Sequence, residues 1–301
     1  MALTVRASRC QSHTLRPLWV VALQSLLLTL LLTLLLTSIL CGNAQAQTDA
    51  ATAEKLLRKS GLWDQLKDIP TQMRTGMSAA GQGATALSAA ELQRLERAVD
   101  LAYAAPRLRA TAQRVVQAEL QAAHVKPLLA WFDSATGQAM TQWEEASGST
   151  GDDPSARVQE GASRLGGMSP ARRELLAALN KESRAAPAMV NMSINTALGV
   201  QQGLLSAQPD RPGPTLAQMR AELEAQRAAM EEAFGGLMLA LAAVTYEAAS
   251  DAQLAAYLAF LQSPAGAHFT EVAEHALDQL FLEAGTELGR AMPGMREGAN
   301  V

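Results

Sequence analysis

The chain has 301 residues, a formal charge of −4 and an aromatic content of only 4%. Its two cysteines, Cys10 and Cys41, both lie near the N-terminus, so the rest of the chain offers no disulfide, thiolate nucleophile or cysteine-held metal. An acidic chain without a Lys/Arg cluster is excluded from nucleic-acid and anionic-membrane partners.

The first segment carries Arg6, Arg9 and Arg16 and no acidic residue before Asp49. A polar pair, Gln24-Ser25, precedes an apolar run from Leu26 to Leu40, and Ala44-Gln45-Ala46 follows. Basic region, apolar core and small-x-small site, in that order, are the layout of a secretory signal peptide over residues 1–46, cleaved between Ala46 and Gln47. The chain beyond it would carry 22 basic and 29 acidic residues, a formal charge of −7. The expected location is periplasmic or secreted. An uncleaved apolar stretch over residues 18–40 is long enough to span a bilayer and gives the alternative, an inner-membrane anchor.

The remaining composition predicts an all-α fold, a helical bundle or a duplicated helical-repeat array. Ala and Leu, both strong helix formers, are plentiful, and β-branched runs of strand length are missing. Helix starts are marked by capping boxes at Ser88/Glu91, Thr215/Gln218 and Ser250/Gln253. Ser169-Pro170 and Ser263-Pro264 place a capping hydroxyl before a proline suited to the first helical position. Apolar residues follow at helical spacing from Leu216 to Val244 and from Phe269 to Leu288. Breakers predict a loop over Gly76–Gly83, a linker beginning at Ser147–Pro154 and a stiff turn over Pro209–Pro214. Gly235-Gly236 interrupts a stripe and predicts a kink or a close approach.

One segment recurs. Residues 129–140 (LAWFDSATGQAM) resemble residues 258–269 (LAFLQSPAGAHF) at an offset of 129, and the capping boxes at Ser88 and Thr215 recur at a similar spacing. The domain reading is therefore a helical unit over 47–146, a linker over 147–168, a second unit over 169–292 and a frayed tail over 293–301. In each copy a serine (Ser134 or Ser263) should cap a new helix after a sharp corner. A glycine in its first turn (Gly137 or Gly266) costs helix propensity, about 1 kcal/mol against alanine. Close approach of a helix across the missing side chain is the compensation expected.

The second copy, Phe260-Leu261-Gln262-Ser263-Pro264-Ala265-Gly266, resembles the hallmark of a bacterial domain-of-unknown-function family. Its members are mostly exported helical proteins with an aromatic pair, any residue, then Ser-Pro-x-Gly. Leu261 replaces the second aromatic here, and Ala135 replaces the proline in the first copy. The resemblance covers mainly Thr245–Leu282 and more loosely Leu128–Ala146. It implies a Gram-negative periplasmic location and supplies no activity.

The candidate chemistry is sparse. His268, Glu271 and His275 share one helical face beside Glu274, the only grouping after the signal segment with metal-ligand chemistry, but neither His-Glu-x-x-His nor His-x-x-Glu-His occurs. A solvated polar face is the competing reading. His124 is expected at a solvent edge or satisfied in the core. No Gly-x-Ser-x-Gly elbow or phosphate-binding loop is present, and Asp152-Asp153 falls in the linker. Met189, Met192, Met219, Met230 and Met238 sit at helical spacing as core filler or, alternatively, as a partner groove. The reading is an exported binding module with a protein partner in the cell envelope and no cofactor. The rivals are a metal-dependent enzyme using the His268/Glu271/His275 face and a membrane-tethered structural component.

Overall fold

Side-chain capping starts half of the described helices. In the computed structural model, which describes residues 48–84, 88–149, 154–210 and 213–292, the chain runs through α1 (Ala50–Lys59), α2 (Leu62–Gln65), α3 (Ile69–Ala84), α4 (Ala89–Ala102), α5 (Ala105–Glu119), α6 (Ala122–Phe132) and α7 (Ala135–Ser149). It continues through α8 (Pro154–Gly167), α9 (Pro170–Glu182), α10 (Ala185–Ala207), α11 (Leu216–Ala225), α12 (Arg227–Thr245), α13 (Asp251–Leu261) and α14 (Pro264–Ala291). The fold is all-α. The capping boxes at Ser88, Thr215 and Ser250 are formed with both reciprocal bonds. Ser169 and Ser263 cap α9 and α14 with proline in the first turn. The signal segment 1–46 with its Ala46–Gln47 site, the 18–40 anchor, Asp152-Asp153 and the 293–301 tail lie outside the described residues.

Several breaker readings need correction. Gly76–Gly83, expected as a loop, belongs to α3. Most of the expected linker 147–168 is helical: α7 runs on to Ser149 and α8 occupies Pro154–Gly167. Helix α8 packs closely on α12, where a Cβ on Gly161 would lie 2.0 Å from the Ala240 carbonyl oxygen. Tertiary contact here outweighs the poor helix propensity of glycine. Conversely, the stripe from Leu216 to Val244 is split at Gln226, whose N–H bonds back three residues to Leu223 O at 3.1 Å. Gly235 and Gly236 neither break α12 nor admit a neighbour, since nothing lies within 4 Å of a Cβ built on either.

The two corners are alike atom for atom. Ser134 Oγ donates to Trp131 O at 2.6 Å and accepts the Gly137 N–H at 3.0 Å. Ser263 Oγ donates to Phe260 O at 2.6 Å and accepts the Gly266 N–H at 3.1 Å. A Cβ on Gly137 would sit 2.1 Å from Trp131 O, and one on Gly266 2.0 Å from Phe260 O. The close approach is thus by the next-to-last carbonyl of the preceding helix. Ala135 replaces Pro264 without loss because the N–H at the first helical position has no intrahelical partner.

Equivalent residues of the two corners also meet. Trp131 and Phe260 occupy the same place in the two segments, and their rings stack at 4.4 Å with planes 5° apart. Phe132 meets Phe260 and Phe269 edge-on at 5.8 and 5.6 Å. A further likeness lies upstream. The only described residues with positive φ are Gly61 (77°) and Arg184 (55°), each following a serine, Ser60 or Ser183, that ends α1 or α9. The units expected over 47–146 and 169–292 do not bury separate cores. Leu56, Leu57 and Val116 pack in one cluster with Phe269, Leu280 and Leu288.

Helices α10 and α14 form the tightest seam and run parallel. Asn191 Nδ2 donates to Glu274 Oε1 at 3.1 Å and, one turn on, Asn195 Nδ2 donates to Asp278 Oδ1 at 2.9 Å. Beyond this polar stretch, Gly199-x-x-x-Gly203 faces Gly285-x-x-x-Gly289. A Cβ on Gly203 would lie 2.1 Å from Thr286 O, and one on Gly289 2.1 Å from Val200 O. The backbones approach because both surfaces lack side chains there, the same device that brings small-residue helices together in membranes. Two parallel neighbours need a long return, and α11, α12 and α13 supply it. Helix α12 is long and apolar enough to cross a membrane by length and composition. In this fold it packs on α8, α9 and α10 and presents Met238, Leu241 and Ala242 to a cleft.

Candidate functional site

The His268/Glu271/His275 face does not converge. His275 Nδ1 lies 2.9 Å from Glu119 Oε2, on α5. His268 Nε2 instead accepts the Gln121 N–H at 3.3 Å, and its ring rests 4.9 Å from that of His124. Glu271 is exposed, 3.9 Å from His268 Nδ1. The expected solvated face is also only partly so, because Glu274 is buried. It accepts from Arg184 Nε at 2.6 Å, Arg184 Nη2 at 3.2 Å and Asn191. A buried carboxylate needs such pairing, and Arg184 reaches it from a left-handed backbone normally left to glycine. Among the described residues, no three His, Cys, Asp or Glu side chains gather at metal-holding range.

The chemistry gathers elsewhere, at Glu144 on α7. Tyr246 Oη, at the end of α12, donates to Glu144 Oε1 at 2.5 Å, and Tyr257 Oη, on α13, donates to the same oxygen at 2.8 Å. Helix geometry explains the convergence. Arg172 at the start of α9 binds the Tyr246 carbonyl at 2.8 Å and Asp251 at 2.6 Å, clamping the turn between α12 and α13. Stacking of Tyr257 on Trp131, 5.8 Å apart with planes 10° apart, then orients the second ring. Burial pushes the Glu144 carboxyl up from its ordinary range. The two tyrosine hydroxyls pull it down, and neighbouring Glu145 adds to the rise. Both tyrosine hydroxyls are pushed well up, first by burial and then by the Glu144 charge.

This cluster stands where two cavities adjoin. The larger is a cleft of about 1020 Å³ between the α2–α3 segment, α7, α9, α10, α12 and α14, with an apolar wall that includes Ile69, Met192, Met238, Leu241 and Phe281. The smaller, about 260 Å³, is walled by matching residues of the two similar segments: Trp131 with Phe260, Phe132 with Leu261, Met140 with Phe269, and Thr141 with Thr270. Glu144 is matched there by Ala273, so only one copy carries the acid. Glu144, Tyr257 and Leu277 line both cavities.

Of the methionines expected as core filler, Met192 packs on the main core and Met219 and Met230 pack beside Val190, Ile194 and Leu198. Met192 and Met238 also line the cleft. Ser134, Gly137, Phe260, Ser263, Pro264 and Gly266 sit in the corners, and of these Phe260 reaches the smaller cavity. Sequence reasoning missed Glu144 and Tyr257. The available signal was the scarcity of tyrosine: two of only three converge on one carboxyl.

No family model, curated protein or solved structure matches this chain.

Proposed function

We propose that this chain is an exported helical binding module whose ligand occupies the cleft beside Glu144. Export rests on the basic, apolar and Ala-x-Ala order of residues 1–46. Binding rests on one observation: a cleft of about 1020 Å³ with an apolar wall and a partly buried carboxyl held by two tyrosine hydroxyls. A large, largely apolar concavity with a few fixed polar groups is the usual form of a small-molecule site. A partly buried acid with a raised proton affinity costs stability, and such a cost is characteristic of groups kept for function. The ligand is thus a small molecule, in place of the protein partner expected from sequence.

Thermal-shift screening of small amphiphiles tests the reading. At least one should raise the melting temperature of the wild-type protein by mass action. Met238→Trp, which fills the cleft from α12, should abolish that shift while keeping the helical circular dichroism spectrum. A panel without any shift, or shifts that Met238→Trp leaves intact, contradicts the proposal.

A further inference from the structure

We infer that the ligand carries a protonated amine, which pairs with Glu144 Oε2, and an apolar body that fills the aromatic cavity between Trp131, Phe132, Phe260 and Phe269. The inference rests on the cleft being a ligand site and names the class it takes.

The hydrogen bonds define the polar end. Glu144 Oε1 receives both tyrosine hydroxyls, which occupies its two lone pairs. Oε2 takes part in no hydrogen bond with the described residues and is not a buried unsatisfied atom, so it keeps accessible surface on a residue that lines both cavities. A carboxylate oxygen in that position asks for a donor. The surrounding charge says which kind. Asp64, Asp68 and Glu145 line the same cleft, against Lys67 and Arg157. Arg157 is already engaged, donating to the Ser147 carbonyl and, at 2.6 Å, to the Ser147 hydroxyl. In the smaller cavity the Arg184–Glu274 pair is internally neutral. No described cation pairs with Glu144, whose one charged neighbour of note is Glu145, so a cation brought by the ligand would be its direct partner. An anionic head would meet repulsion from the carboxylates instead.

The apolar end follows from the rings. Tyr257 stacks with Trp131 beside the carboxyl, and Trp131 also stacks on Phe260 in the same cavity wall. A positive head beside Glu144 also lies next to the Tyr257 ring, and aromatic faces attract cations. The carbon chain then passes from this polar group to the Phe132 and Phe269 wall, where its burial drives binding.

Isothermal titration calorimetry with octylammonium, octanoate and octanol tests the class, since the three share a chain and differ in the head. Octylammonium should bind wild-type protein more tightly than either of the others. Glu144→Gln keeps an oxygen for both tyrosines and places an amide NH₂ where Oε2 stood, so the fold survives. It should weaken octylammonium about tenfold or more, the effect of losing one charge-assisted hydrogen bond, and leave octanol unchanged. Tighter binding of octanoate or octanol that Ala273→Trp, a plug of the aromatic cavity, abolishes would overturn the amine assignment and keep the binding site. Silence from all three overturns both.

Discussion

Gly266→Ala and Gly236→Ala place the same methyl group in two helices and should have opposite effects. Alanine favours a helix over glycine by about 0.8–1 kcal/mol, so propensity alone raises stability at both positions. At Gly236 nothing lies within 4 Å of the added Cβ, and the gain should appear nearly in full. At Gly266 the Cβ would fall 2.0 Å from Phe260 O, 2.8 Å from Phe260 C and 3.1 Å from Leu261 Cα. These are backbone atoms that cannot rotate aside. Helices α13 and α14 must separate, which loosens the Ser263 cap and the Trp131–Phe260 stack. Overpacking of this kind costs about 1–3 kcal/mol. With the propensity gain subtracted, the net loss should be up to about 2 kcal/mol, a fall of up to roughly 8 °C for a chain of this size, against a rise at Gly236. Thermal denaturation followed by circular dichroism, with urea unfolding as a check, reads both variants. Equal stabilisation by the two substitutions would refute the corner geometry.

Arg184→Ala should destabilise the protein, because Glu274 then stays buried with only Asn191 as partner, while the strain at φ 55° stays because alanine keeps the Cβ. A fully buried broken pair costs about 3–5 kcal/mol; since the Arg184 side chain is 56% exposed, about 1–2 kcal/mol is expected from urea unfolding, and no loss would contradict it. The Glu119 hydrogen bond raises the His275 pKa, so its stabilisation is present below the unfolded value of about 6.5 and is lost as pH rises through the higher folded value. For this exposed pair the change should be about 0.2–1 kcal/mol, and Glu119→Gln should remove it; an unaltered pH profile would refute the pairing. Amino-terminal sequencing of the exported protein should begin at Gln47, and finding the full-length chain in the membrane fraction would contradict cleavage.

What was legible in the sequence was what is local along the chain. Each capping box spans four residues and works through the backbone of its own helix, so Ser88, Thr215 and Ser250 announce themselves. The corners are equally short-range: Ser134 and Gly137, or Ser263 and Gly266, act within one turn. Glycine is ambiguous because its role depends on what faces it. Gly161 and Gly203 meet a neighbouring backbone, whereas Gly76 and Gly236 meet nothing. The same residue therefore marks close packing in one helix and nothing in another, which is why glycine density alone predicts a loop over Gly76–Gly83 where α3 runs. Arg184 at positive φ carries no glycine signature, and its reason is Glu274, 90 positions away. The candidate site was the least legible part. Glu144 meets Tyr246 and Tyr257 across 102 and 113 residues, and no local pattern distinguishes it from Glu145 beside it.

The claim that Glu144 is a poised carboxyl in a ligand cleft is tested most directly by carbon-13 NMR of the glutamate side-chain carboxyls across pH, with and without octylammonium. Glu144→Gln assigns the resonance. The account predicts that Glu144 titrates above the exposed glutamates in the free protein, because burial disfavours its charge. Octylammonium should then shift that titration to lower pH. A Glu144 resonance that titrates with the exposed carboxylates and ignores the ligand would contradict the account.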